Sequence, residues 1–247
     1  MAQPVIQRPT KRGNSKWIYG CLGMMLGCGF ISALAAVLLI PLIPMLAMQA
    51  AGFTAQGSTN DVFAGITPQP TVEIFNATQP EQVTVNLGEL GETTVENNNP
   101  NYDASVGQDS SGAQAARISI DENGLYQEIC FRDSSICNGT SSQYQLTGVD
   151  FRPTGAILFA NVNVSGFTQQ IGAVLQVDAS GRRFNVVGID VNGQLYAPPS
   201  NEIAQILYDI EARGNQALSQ FTLQANGVQY NLANMIVDDN YLTLVMQ

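Results

Sequence analysis

Hydrophobic and polar residues alternate in short runs from about residue 117 to the end of the chain. A period of two residues is typical of strands, because successive side chains point to opposite faces. One face collects Leu158, Ala160, Val162 and Val164, and Ile171, Ala173, Leu175 and Val177 repeat the pattern. Ile157 and Phe159 fall on the other face, which predicts that some strands are covered on both sides.

Turn sequences separate these runs. The segment RPTG (152–155) has Pro at the second position and Gly at the fourth, and DASG (178–181) has Asp at the first and Gly at the fourth, as type I turns favour. Asn-Gly at 192–193 and again at 226–227 predicts tight hairpin turns, in which both central residues have positive φ. The sequence therefore predicts an antiparallel meander.

The period changes to a helical one after Pro198 and Pro199, which cannot extend a central strand. Ser200 or Asn201 is a suitable N-cap, and Glu202 suits the first turn. An apolar stripe at helical spacing then comprises Ile203, Ile206, Leu207, Ile210, Ala217 and Leu218. We expect one long amphipathic helix that lays this stripe on the sheet, and a shorter helix at 121–131.

The N-terminal part has a different character. All charges in the first 16 residues are basic, and no charged residue follows from Trp17 to Met48, which exceeds the roughly 20 residues that span a bilayer. This pattern favours an uncleaved transmembrane anchor over residues 17–50, with a cytoplasmic tail at 1–16 and the remainder outside the cell membrane. A cleaved signal peptide is the alternative, but its apolar region is usually shorter. Gly23 and Gly27 have the GxxxG spacing of a surface that packs on a partner transmembrane helix, although small residues are common in such helices anyway.

Residues 51–115 are rich in Asn, Thr, Gln, Gly and Ser, with eight acidic and no basic residues from 53 onward. A segment of this composition buries little apolar surface, so the sequence predicts a largely disordered acidic linker, with isolated strands as an alternative where TVEIF and QVTVNL alternate briefly. The predicted organisation is thus a tail, an anchor, this linker, and an extracytoplasmic α+β domain at 116–247.

Charge and composition exclude several functions. All twenty acidic residues but only six of the ten basic residues follow Phe53, a net charge of −14 that repels nucleic acid. The chain has no histidine, and both lysines precede the apolar span, so histidine-based triads, Ser-Lys dyads and histidine-ligated metals are excluded from the C-terminal part. The pairs Asp121–Glu122 and Asp238–Asp239 remain as carboxylates for glycoside hydrolysis, but they fall at a helix start and a turn. We therefore expect no enzyme activity, no cofactor and no metal.

Two cysteines, Cys130 and Cys137, lie in the part predicted to be exported. An oxidising compartment permits a disulfide that closes a small loop. Free buried cysteines are also common, and the sequence leaves both alternatives open.

The C-terminal half resembles the LmeA-like phospholipid-binding family of bacterial envelope proteins and, more remotely, tubular lipid-binding domains. The segments that carry the likeness are LTGVDFRPTGAILFANVNVSG, AVLQVDASGRRFNVVGIDVNGQLYAPPSNEIAQILYDI and FTLQANGVQYNLANMIVDDNYLTLVM. The resemblance implies an α+β fold in which a curved antiparallel meander packs on the long helix, with an apolar groove between them for an acyl chain. The lipid-binding residues that it implies are Phe159, Val162 and Leu175 on strands and Ile206, Leu207 and Ile210 on the helix.

Two hypotheses follow. In the first, the domain is a membrane-tethered, non-enzymatic module that binds a phospholipid by its acyl chain. In the second, it is a structural or assembly subunit of an envelope complex that binds protein partners and no lipid. Arg182 and Arg183, in a predicted turn, either meet a phosphate or keep a hairpin tip soluble. An enclosed apolar groove favours the first hypothesis, and a filled core beside an exposed apolar strip favours the second.

Overall fold

The computed structural model describes residues 53–64, 73–88, 91–96, 99–139, 144–164, 167–197 and 202–247. The chain divides into two units, Met1–Ala47 and Met48–Gln247, and all described residues belong to the second. The predicted cytoplasmic tail and anchor lie outside the described residues, as do the predicted cap residues Ser200 and Asn201. None of the helices in the described ranges combines the length and the apolar character needed to cross a membrane.

The described residues form fourteen strands and four helices, a mostly-β member of the α+β class. The strands are β1 Ala55–Ser58, β2 Phe75–Thr78, β3 Gln82–Asn86, β4 Glu92–Glu96, β5 Tyr102–Gln108, β6 Gln114–Asp121, β7 Tyr144–Arg152, β8 Gly155–Val164, β9 Phe167–Val177, β10 Phe184–Val191, β11 Gln194–Tyr196, β12 Thr222–Ala225, β13 Val228–Val237 and β14 Tyr241–Met246. The helices are α1 Thr59–Phe63, α2 Glu122–Arg132, α3 Ser134–Cys137 and α4 Glu202–Ser219.

Six strands form one antiparallel sheet in the order β1-β11-β10-β9-β8-β7. From β7 to β11 each strand pairs with the next in the chain, so the predicted meander is confirmed for this part. Both Asn-Gly turns are also confirmed, with φ of 53° and 81° at Asn192 and Gly193 and of 51° and 78° at Asn226 and Gly227. The turn at 152–155 is not type I, because Thr154 has a φ of 66°. The backbone N–H of Thr154 donates to the carbonyl of Val237 on β13 at 2.9 Å. This hydrogen bond joins the turn to the second, eight-stranded sheet.

Eight strands form the second sheet in the order β2-β5-β6-β14-β13-β12-β3-β4, again with antiparallel neighbours. Six strand-to-strand steps separate β5 from β4, about 29 Å in a flat sheet at roughly 4.8 Å per step. The chain from Glu96 to Tyr102 can span at most about 21 Å, at roughly 3.3–3.6 Å per residue. Because this connection is shorter than the flat sheet is wide, the sheet curls into a half-barrel that brings β4 back toward β5.

The structure corrects the predicted linker. The range 51–115 holds α1, strands β1 to β5 and the first residues of β6, and the predicted boundary at 115 falls inside β6. Val83, Val85 and Val95 are buried in the core of the eight-stranded sheet, and so are Ala104 and Val106. Composition misses these strands because each has one apolar face only, and the strands that complete their sheet lie more than a hundred residues later in the chain.

Helix α4 has the predicted amphipathic character. Ala204 and Leu207 are buried, whereas Gln205 and Asp209 are exposed. Helix α4 also covers part of the edge of β10. Strand β11 pairs only with residues 189–191 of β10, and α4 lies along the rest of that edge. The Asn215 side chain accepts from the Phe184 N–H at 2.9 Å and donates to the Phe184 carbonyl at 2.8 Å, as a neighbouring strand would. Glu211 accepts from the N–H of Val186 at 2.8 Å.

Helix α2, predicted at 121–131, begins after Asp121, whose carboxylate accepts from the Gly124 N–H at 2.6 Å. The one-turn helix α3 follows it directly and is joined to it by a disulfide between Cys130 and Cys137, with a Cα–Cα distance of 5.5 Å. Of the two states that the sequence left open for these cysteines, the structure contains the disulfide. Both helices pack on the edge strand β7.

Candidate ligand-binding cavity

A cavity of about 410 Å³ lies between the two sheets and is bordered by helices α2, α3 and α4. Its volume falls within the range of roughly 300–1,000 Å³ that is typical of small-molecule sites. Strands β8 and β9 supply one wall through Leu158, Ala160, Val162, Ile171, Ala173 and Leu175. Strands β6 and β14 supply the opposite wall, with Ile118 and Leu244 among its residues. The lining is overwhelmingly apolar, so the cavity suits a hydrocarbon.

Five of the six residues that the resemblance assigns to lipid binding border this cavity: Val162, Leu175, Ile206, Leu207 and Ile210. Phe159 does not. It lies on the opposite face of β8, where it packs with Ile157, Val174 and Phe63. The reason is the period of two residues: positions 159 and 162 are an odd number apart, so their side chains leave the strand on opposite faces.

Several lining residues were not among the predicted site residues. Leu158, Ala160, Ile171 and Ala173 follow from the alternation in β8 and β9, because they share a face with Val162 or Leu175. The residues from the eight-stranded sheet could not be found that way, since no local pattern links β6 or β14 to β8.

A cluster of polar side chains, Thr93, Tyr102, Glu128 and Arg132, forms one part of the lining. The Arg132 Nε donates to Glu128 Oε1 at 2.7 Å, and Arg132 Nη2 also donates to the hydroxyl of Thr93. The hydroxyls of Thr93 and Tyr102 donate to the two oxygens of Glu128 at 3.4 and 3.5 Å. Burial raises the pKa of the Tyr102 hydroxyl, and the adjacent Glu128 carboxylate raises it further. Since Thr93 is on the edge strand β4 and Tyr102 on β5, one carboxylate of α2 joins these two strands of the curled sheet.

Helix α3 and the disulfide border the cavity beside this cluster. Ile129, Arg132, Asp133 and Ile136 all line it, and the disulfide joins Cys130, next to Ile129, to Cys137, next to Ile136. Asp133 caps α3 by accepting from the N–H and the hydroxyl of Ser135, at 3.2 and 2.5 Å. The covalent link thus limits how far α3 can move away from α2 at the cavity wall.

Two further residues at the cavity, Tyr144 on β7 and Arg213 on α4, combine a lining position with access to solvent. Tyr144 is half-buried and Arg213 is exposed, which places them at the opening. Burial raises the pKa of the Tyr144 hydroxyl, and the positive charge of Arg213 opposes part of that rise.

The other charged groups singled out in the sequence have local structural roles. Arg182 Nε donates to the carbonyl of Ala233 at 3.0 Å, and neither Arg182 nor Arg183 lines the cavity. Glu122 accepts from the Phe151 N–H at 2.7 Å, and Asp238 accepts from the N–H groups of Asn240 and Tyr241, each at 2.8 Å. Within the described ranges, no three His, Cys, Asp or Glu side chains come together as a metal site would require.

Comparisons with protein-family models, with curated proteins and with solved structures find no match for this chain. The functional interpretation therefore depends on the cavity and its lining.

Proposed function

We propose that the domain binds the acyl chain of a lipid in the cavity between its two sheets. The observation that carries this proposal is the cavity of about 410 Å³, lined by Leu158, Ile171, Leu175 and further apolar side chains and bordered by α4. Each buried methylene contributes about 0.8 kcal/mol. A chain of a dozen methylenes therefore offsets the several kcal/mol that association costs in lost motion. The likeness to LmeA-like phospholipid-binding proteins supports the same ligand class.

We further propose that residues 17–50 anchor the protein in a cell membrane, with the domain on the extracytoplasmic side. The charge-free apolar run, preceded by basic residues only, supports this topology. The Cys130–Cys137 disulfide is consistent with it, since disulfides persist in oxidising compartments. In this arrangement the domain captures or passes a membrane lipid without chemical conversion.

The test is to fill the cavity from one wall. Ala217 lines the cavity on α4, whereas Ala212 on the same helix is exposed and does not. The full chain, expressed in an exporting host, is released from detergent micelles for native mass spectrometry, and the bound lipid is extracted and identified. We expect one lipid per chain in the unaltered protein, loss of most of it in Ala217→Trp, and retention in Ala212→Trp.

A second filling variant, Ala160→Phe, fills the cavity from the wall formed by β8 and β9. It guards against a folding defect that is specific to one position. Thermal unfolding identifies which variants are folded. If folded cavity-filled variants carry as much lipid as the Ala212→Trp control, the lipid lies elsewhere on the chain and the proposal is wrong. If the unaltered protein carries no lipid even after incubation with membrane lipids, a domain that binds protein partners becomes the better interpretation.

A further inference from the structure

Most polar side chains at the cavity already have hydrogen-bond partners within the protein. Glu128, Arg132, Thr93 and Tyr102 bind one another. Asp133 caps α3, and Glu211 accepts from the backbone of β10. These groups are occupied in holding α2, α3 and α4 to the sheets, and therefore offer little to a ligand.

Tyr144 and Arg213 differ from them. Among the residues that the structure describes, neither side chain makes a hydrogen bond, and the Arg213 guanidinium has no carboxylate within the 4.0 Å of an ion pair. Both line the cavity and both reach its opening. A phenol and a guanidinium are both hydrogen-bond donors, and a guanidinium matches a carboxylate or phosphate through two parallel N–H groups.

Two acidic residues limit how much negative charge a ligand can carry at Tyr144 and Arg213. Asp133 lines the cavity, and Asp209 lies one helical turn before Arg213 on α4. Asp209 accepts from Gln205 Nε2 at 3.0 Å, and Asp133 accepts from Ser135. One guanidinium flanked by two carboxylates accommodates a single negative charge better than two, because like charges repel.

The cavity volume of about 410 Å³ is close to the lower end of the usual range for small-molecule sites, which favours one hydrocarbon chain over two. We propose, on the basis of the proposed lipid-binding function, that the ligand is a single-chain, singly charged amphiphile of the long-chain carboxylate class. Its chain lies between the sheets, and its carboxylate accepts hydrogen bonds from Arg213 and Tyr144 at the opening.

The experiment compares two photoreactive probes that differ only in the head: a C16 fatty acid and the matching C16 fatty alcohol, each with a diazirine in its chain. The full chain in phosphatidylcholine nanodiscs is labelled with each probe, and the labelled peptides are identified by mass spectrometry. We expect the acid to label peptides of α4 and β8 at about a threefold to tenfold lower concentration than the alcohol.

Arg213→Gln removes the charge, and Arg183→Gln is the matched control, since Arg183 is an exposed arginine away from the cavity. We expect Arg213→Gln to abolish the preference for the acid while the alcohol labels as before. Tyr144→Phe reduces the preference by a smaller factor. Unlabelled palmitate is expected to compete with the acid probe better than hexadecyl phosphate, because the phosphate carries more negative charge at neutral pH.

The outcomes separate this inference from the proposed function. If neither probe labels the cavity peptides, the proposed function itself fails. If both label them equally, or if Arg213→Gln leaves the preference unchanged, the cavity binds hydrocarbon and the inferred head group is wrong. Competition by hexadecyl phosphate that equals or exceeds competition by palmitate overturns the single-charge part of the inference.

Discussion

Strands β8 and β9 have two apolar faces that end in different environments. On one face Ile157 and Val174 pack with Phe63 of α1 and Leu195 of β11, and Val174 is fully buried. The other face, which includes Leu158 and Ala173, borders the cavity. Both faces carry large apolar side chains, so the presence of such residues alone does not distinguish a packed face from a ligand-binding one. The two faces differ in the elements that cover them. The five-residue helix α1 packs directly on the first face, whereas α2, α3 and α4 surround a space at the second.

The largest expected difference between the faces is in the cost of removing a side chain. Phe63→Ala deletes a buried ring from the packed face and is expected to lower the free energy of unfolding by about 3–5 kcal/mol. Leu158→Ala, on the cavity face, removes a half-buried side chain with fewer neighbours and is expected to cost about 2 kcal/mol or less. Urea unfolding monitored by circular dichroism measures both, and equal losses would mean that the two faces are packed alike.

Adding a methyl group sharpens the comparison. A Cβ at Gly172 would lie 2.5 Å from Ile157 Cγ2 on the packed face, so we expect Gly172→Ala to destabilise the protein by about 1–3 kcal/mol. A Cβ at Gly214, on the cavity side of α4, would meet no atom within 4 Å. Because alanine favours helix more than glycine does, Gly214→Ala is expected to stabilise the protein by roughly 0.5–1 kcal/mol. The sign of the two shifts in thermal midpoint is the measurement, and shifts of the same sign would contradict the assignment of the faces.

The smallest expected effect is a decline in the free energy of unfolding at alkaline pH. Burial raises the pKa of the hydroxyls of Tyr102 and Tyr144, which line the cavity. Below the ordinary tyrosine pKa of about 10 both states are protonated and the stabilisation is complete. As the pH rises past that value, the unfolded state loses its protons first, so the free energy of unfolding falls. Urea unfolding between pH 8 and pH 11 is expected to show this decline, and Tyr144→Phe is expected to make it shallower; an unchanged slope in that variant would show that Tyr144 does not contribute.

Local patterns in the sequence predict much of the six-stranded sheet and of the cavity wall that it supplies. Asn192–Gly193 fixes the hairpin between β10 and β11 through its positive φ, and the period of β8 and β9 assigns Val162 and Leu175 to one face. The same period argues against grouping Phe159 with Val162, so that error was avoidable from the sequence. The eight-stranded sheet is different, because it joins strands such as β3 and β12 that have no local relation. Neither composition nor periodicity carries that information, and so most of the strands in residues 53–115 and the cluster around Glu128 were missed, although the alternation in QVTVNL indicates β3.

The position of β14 has a consequence for the order of events during synthesis. This strand lies in the interior of the eight-stranded sheet, between β6 and β13, where the hydroxyls of Ser119 and Thr243 meet at 2.8 Å although they are 124 residues apart in the chain. While the intervening residues leave the ribosome, β6 has one unpaired edge, and such edges promote association between chains. The half-barrel can therefore close only after β14 has been released, and until then the free edge of β6 is open to association with other chains.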